Sequence, residues 1–172
     1  MLLLSVAFIA AQVPADAVYS GFRPSAPADI ASAVGDCWRV VGEGGLDASQ
    51  LVASGWSAAA EASGKPVGGP LEVYVKPSAN HRIMVPRAID AKSICAVIAR
   101  VSSPPELGAS LHAIQRSLRV LDPNINAMRS GDGILFLSGS YFALVDELVS
   151  DYVTKDQPGM RITVAYKNAE KK

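Results

Sequence analysis

The sequence predicts an α+β fold, a mostly antiparallel sheet of about five strands covered on one face by helices. Some segments repeat apolar residues at steps of three and four, others alternate at period two, and several strand-like segments follow one another with no crossover helix between them. Strands joined in that way pair antiparallel, and the helices must then cover a face of the sheet. The expected order is α-α-β-β-β-α-β-α-β.

Ile30, Val34, Cys37 and Val41 recur at steps of four, three and four, which predicts an amphipathic helix over residues 28–41 with Cys37 on its inner face. Gly42 to Gly45 stops it. Asp47 as a cap, Gln50 reaching back, and Leu46 stapled onto Leu51 predict a second, short helix. Ser54-Gly55 is its left-handed exit, and Trp56 folds back into the core. Leu71, Val73 and Val75 then alternate with Glu72, Tyr74 and Lys76, the mark of a half-buried strand. Pro77 to His81 turns the chain into a return strand over 82–85, which closes a hairpin. The nearly continuous apolar run of 93–101, around Ile94, Cys95, Val97 and Ile98, is the expected central strand.

Ser103-Pro104-Pro105-Glu106 combines an N-cap, a first-turn proline and a capping-box acid, and it opens the clearest helix. Leu107, Leu111, Ile114, Leu118 and Leu121 form its stripe, and Asp122-Pro123-Asn124 ends it. Gly131-Asp132-Gly133 precedes a short strand over 134–137, which Ser138-Gly139-Ser140 breaks. Phe142, Val145, Leu148, Val149 and Tyr152 fit a helical face better than strict alternation, so residues 141–153 are expected as a helix. After Gln157-Pro158-Gly159, the residues Met160, Ile162, Val164 and Tyr166 alternate with Arg161, Thr163 and Ala165 in a last strand.

The chain of 172 residues, 49% of them hydrophobic, suffices for one domain with its own core. Residues 1–11 are almost wholly apolar, too short a run to span a bilayer, and Ala15-Asp16-Ala17 has the small residues that signal peptidase accepts. The expected organisation is a signal peptide over 1–17, a single domain over 18–166 and a flexible polar tail over 167–172. Sixteen bases balance sixteen acids, and loss of Asp16 with the leader leaves a charge of about +1, so composition points to no nucleic acid. With no membrane span left after cleavage, the expected location is periplasmic or secreted. In such an oxidising compartment Cys37 and Cys95 are expected to bridge, the alternatives being two buried thiols or a reactive pair.

Signatures of chemistry are sparse. His81 and His112 are the only histidines, and neither has a second ligand at metal spacing, so no metal and no cofactor are expected. Asp29, Asp36, Asp146, Glu147 and Asp151 read as solvated charges. The catalytic candidates are His81 as a general base and Ser138 or Ser140, in a tight turn after a strand, as nucleophile. Arg116, Arg119, Arg100, Lys76, Arg82 and Arg87 would form a basic patch only if they did not pair with nearby acids. The layout of an apolar leader, Cys37-Trp38, Gly55-Trp56 and a second cysteine in a central strand is broadly similar to small exported proteins of unknown role in Gram-negative bacteria, a similarity that implies no activity and no site residue. The expected function is a non-enzymatic envelope binding or interaction module that meets an unknown protein, peptide or small ligand. The alternatives are a small hydrolase using a His/Ser/carboxylate site, and thiol chemistry at the two cysteines.

Overall fold

The computed structural model describes residues 22–59, 71–87, 93–148 and 156–167. The expected leader, and the expected tail beyond residue 167, lie outside them.

Helix α1 (Pro27–Val40) opens with proline in its first turn, and Asp29 near its start and Arg39 near its end complement the helix dipole. It buries the predicted stripe and, in addition, Ala31, Gly35 and Trp38, because it is covered on two sides. One side lies over the middle of the sheet and the other against α3 (Pro104–Leu121). Gly35 lies at that contact, where a Cβ would stand 3.5 Å from Ser117 Oγ, an ordinary van der Waals distance. A small ribbon of β1 (Val41–Gly42) and β2 (Gly45–Leu46) follows α1. Ser93 Oγ accepts from the Gly42 amide and donates to the Gly45 carbonyl, each at 2.8 Å.

The short helix α2 (Ser49–Ala53) comes next. Asp47 takes the amide and hydroxyl of Ser49 and, at 3.0 Å, the Gln50 side chain. Gln50 thus reaches back to the Asp47 carboxylate rather than to backbone. The exit is left-handed at Gly55, with φ +87°, and Trp56 is buried. At α3 the first-turn acid Glu106 bonds the amide and hydroxyl of Ser102, one residue before the predicted cap Ser103.

The remaining strands are β3 (Ser57–Ala58), β4 (Leu71–Val75), β5 (Arg82–Pro86), β6 (Ile94–Arg100), β7 (Asn126–Ser130), β8 (Gly133–Ser138), β9 (Tyr141–Leu148) and β10 (Gly159–Tyr166). They form one eight-stranded sheet in the order β3-β4-β5-β6-β10-β9-β8-β7, with every pairing antiparallel. Two meanders, linked through α3, meet where β10 pairs with β6. The α+β class holds, with eight strands where about five were expected.

The largest departure lies at 141–148, expected as helix and found as β9. The helical stripe was a coincidence of a strand that is apolar on both faces: Ala143 and Val145 face the helices, while Phe142 and Leu144 face away. Gly139, with φ +55°, opens a two-residue turn that folds β9 straight back on β8. The expected extension over 149–153 lies outside the described residues. Strand β7 has no apolar alternation to announce it, and β3 is only two residues long.

Residues Cys95, Val97, Ala99, Met160, Ile162, Val164, Ala143, Val145 and Phe136 join Ile30, Val34, Leu51, Ile114 and Leu118 in one core. All three described helices therefore cover the same face of the sheet. The expected disulfide, Cys37 to Cys95, crosses that core and ties α1 to β6, with both residues fully buried. Among the described residues no helix is long and apolar enough to cross a membrane.

Candidate functional site

The face of the sheet away from the helices is set by register. Its first row runs across the strands as Val73, Met84, Ala96, Thr163, Leu144, Leu135 and Met128, each directly opposite the next. A second row runs Ile94, Ala165, Phe142, Leu137 and Asn126. The side toward β5 and β6 is covered by the chain itself, because Phe22 packs on Ile98, Leu148 and Met84. Arg100 holds that lead in place by donating to the Phe22 carbonyl at 2.8 Å, while the Ser25 amide donates to the Arg100 carbonyl, also at 2.8 Å.

On the other side, Thr163, Leu144, Leu135, Phe142 and Leu137 are only half-buried, and Met128 is 50% exposed. Among the described residues no helix lies over them. With about 4.8 Å between strands, the two rows from β6 to β7 cover roughly 270 Å². That approaches the size at which the principal apolar patch of a monomer is commonly functional. The polar groups beside it are few. Arg161 and Asp146 neutralise each other in a two-pronged pair, Arg161 Nε donating to Oδ1 at 3.0 Å and Nη2 to Oδ2. Asp146, expected as a solvated charge, is thereby fixed at the border of the apolar rows.

The catalytic candidates are not brought together. His81 is 3% exposed, with Nδ1 3.3 Å from the hydroxyl of Ser25, itself 4% exposed, and its ring lies edge-on to Trp56. Burial pushes its imidazole down to about 4, with Asp29 and Asp36 favouring the proton and Arg82 and Lys76 opposing it. Neither the imidazole nor the Ser25 hydroxyl presents a surface to a substrate. Trp56 Nε1 donates to Asp36 at 2.9 Å, and Asp36 also accepts from Arg39. This cluster seals the joint between α1, α2 and the β4–β5 turn.

Ser138 lies four strand steps away on β8, about 19 Å across the sheet and toward its other end. Its hydroxyl donates to Asp122, which draws the Asp122 carboxyl below the usual carboxylate range and ties β8 to the end of α3. Ser140 sits in the turn, where its carbonyl accepts the Lys167 amide at 2.7 Å. Beside them Tyr141 stacks on Trp38 and meets Tyr166 edge-on, so Trp38 is a packing residue.

Of the residues in the expected basic patch, Lys76, Arg82 and Arg100 each donate to a backbone carbonyl. Lys76 donates to Ser54 and sits 5.7 Å from the Trp56 ring centre, and Arg82 donates to Ala79 and His81. Arg116 remains beside Arg39 on a shallow groove of about 370 Å³ between α1 and α3, floored by Ala31, Gly35 and Ala113. The apolar rows are what sequence reasoning missed, and reading 141–148 as a strand would have exposed them, since its even positions are Phe142, Leu144, Asp146 and Leu148. No protein-family model, curated protein or solved structure matches this chain.

Proposed function

We propose that this chain is an exported, non-enzymatic interaction module whose half-buried sheet face, free of helices among the described residues, receives an apolar segment of another envelope protein. The observation that carries the reading is the pair of apolar rows ending at Leu135, Leu137 and Met128, bordered by one self-neutralised ion pair. A face of that kind rewards an apolar partner through burial and imposes no unpaired charge on it. Export is supported by the buried disulfide, a bond that persists in oxidising compartments. The alternative, a small hydrolase using His81, a serine such as Ser138 or Ser140 and a carboxylate, has less support, because His81 and Ser138 lie four strand steps apart and the serine beside His81, Ser25, is buried.

The test uses 8-anilinonaphthalene-1-sulfonate, a fluorescent apolar probe, on the folded protein at neutral pH. Saturable enhancement is expected. A Leu135→Lys, Leu144→Lys double variant with an unchanged melting temperature should lose most of it. Val120→Lys, at a position 84% exposed on α3, should leave it intact. Absence of enhancement from the wild-type protein, or its survival in the double variant, overturns the proposal.

A further inference from the structure

The sheet has two edges of unequal character. Strand β3 offers two residues, whereas all five residues of β7 are exposed. An exposed edge presents unpaired N–H and C=O groups, and natural edges are blunted by proline, lysine, bulges or a covering element. The run Asn126-Ala127-Met128-Arg129-Ser130 has neither proline nor lysine, carries a single charge at Arg129, and pairs with β8 without a bulge.

The turn decides which groups face outward. Ser130 and Gly133 flank the two-residue turn Gly131-Asp132, where Gly131 has φ +58°. Residues flanking such a turn form a hydrogen-bonded pair, and the pairing alternates from there. Ser130, Met128 and Asn126 therefore bond to β8, while the N–H and C=O of Ala127 and Arg129 point away from the sheet. Among the described residues no group from outside the sheet bonds to them.

We infer that β7 pairs antiparallel with β7 of a second copy of this chain about a two-fold axis at Met128, making one continuous sheet of two molecules. The strand is self-complementary in that register. Ala127 of one copy faces Arg129 of the other, so each outward N–H meets an outward C=O in four bonds across the axis. Met128 meets Met128 on the apolar face, Asn126 meets Ser130, and the small Ala127 leaves room for the long arginine. No like charges stand directly opposite each other. The chain's sixteen bases and sixteen acids impose no net repulsion between copies. Because the axis is perpendicular to the sheet, the helices of both copies lie on one side, and their apolar rows join on the other through Met128. The pairing stands on edge geometry and does not depend on the function proposed above.

The interface is small, so a reversible dimer is expected, half-formed at roughly 0.1 mM. Light scattering and sedimentation between about 5 µM and about 500 µM should show the mean mass of wild-type protein rising from close to one chain to about 1.7 chains. Ala127→Pro removes an outward donor and no bond to β8, so it should remain a single chain throughout with a native melting temperature. The second arm is oxidation of Met128→Cys and Arg129→Cys. Met128 positions face each other across a non-hydrogen-bonded pair with Cα atoms about 4.5 Å apart, within disulfide reach, whereas each Arg129 faces Ala127. Cross-linked dimer is expected for Met128→Cys and little for Arg129→Cys. A single-chain mass at every concentration overturns the inference, as does a dimer indifferent to Ala127→Pro or equal cross-linking of the two cysteine variants.

Discussion

Replacing His81 by glutamine should flatten one component of the protein's acid sensitivity. The folded imidazole is held near 4 by burial, whereas in the unfolded chain it titrates near 6.5. The unfolded state then binds the proton more readily between those values, so stability is present above 6.5 and is lost as pH falls toward 4. Each unit of difference corresponds to about 1.4 kcal/mol, and for these two values the loss between pH 7 and pH 4.5 is about 2.5 kcal/mol. Solvent screening removes little of it, because His81 is 3% exposed. His81→Gln carries no titrating ring and loses the edge contact with Trp56, so it starts less stable at pH 7. Its deficit should shrink by that amount at pH 4.5, while contributions from other carboxylates cancel in the comparison. Urea unfolding with the disulfide intact measures this: at a slope of about 2 kcal/mol/M, the two midpoints should converge by roughly 1 M. A gap that stays constant across the pH range would show that His81 accepts a proton in the folded state as easily as in the unfolded one, and the argument from burial would fail.

Three further outcomes follow from the packing. Replacing both Cys37 and Cys95 by alanine opens a loop of 58 residues and should cost about 4 kcal/mol on the chain-entropy account, read as a fall in unfolding midpoint. In the unreduced protein, thiol reagents should find no free cysteine even in denaturant, and two should appear only once a reductant is added as well. Trp56→Phe keeps the ring but removes the donor to buried Asp36, and calorimetry should register a loss of about 1.5–3 kcal/mol, the range for a hydrogen bond to a charged group. Gly133→Ala places a Cβ 2.5 Å from the Val145 carbonyl, so β8 must shift against β9. A loss of about 2 kcal/mol or more is expected, and an unchanged melting temperature would refute the close approach.

Both long helices were legible in the sequence because each carries its own punctuation. Pro27 and Pro104 sit where a missing amide costs nothing, and the stripes from Ile30 and Leu107 repeat at helical spacing. The β4–β5 hairpin and β6 were legible for the same local reasons. What period alone could not settle was β9, where a strand sandwiched between a core and a half-covered apolar face loses its alternation and mimics a helix. Strand β7 failed in the opposite sense: exposed along its whole length, it needs no apolar residue on either face. The disulfide followed from an even count and the expectation of a leader. The apolar face did not, because it exists only once register sets Leu144 beside Leu135 and Thr163, and that pairing depends on β10 finding β6 across α3.

The distribution of tethers across the sheet bears on the face proposed above for interaction. The covalent bond, the Trp56–Asp36 bond, the Lys76–Ser54 and Asn80–Pro24 contacts and the Arg100 clamp on the lead all belong to the meander that ends in β6. The β7–β8–β9 meander is held by its own ladder, by β10, and by side-chain ties such as Ser138–Asp122 and Tyr141–Trp38. Elements that bind partners are drawn from the less stable end of a structure, since they must adjust to what they meet. The half-covered rows and the open edge both fall in the half that the disulfide does not reach. The other half, with α1 cross-linked to β6 at its centre, supplies the frame against which β10 holds that surface in register.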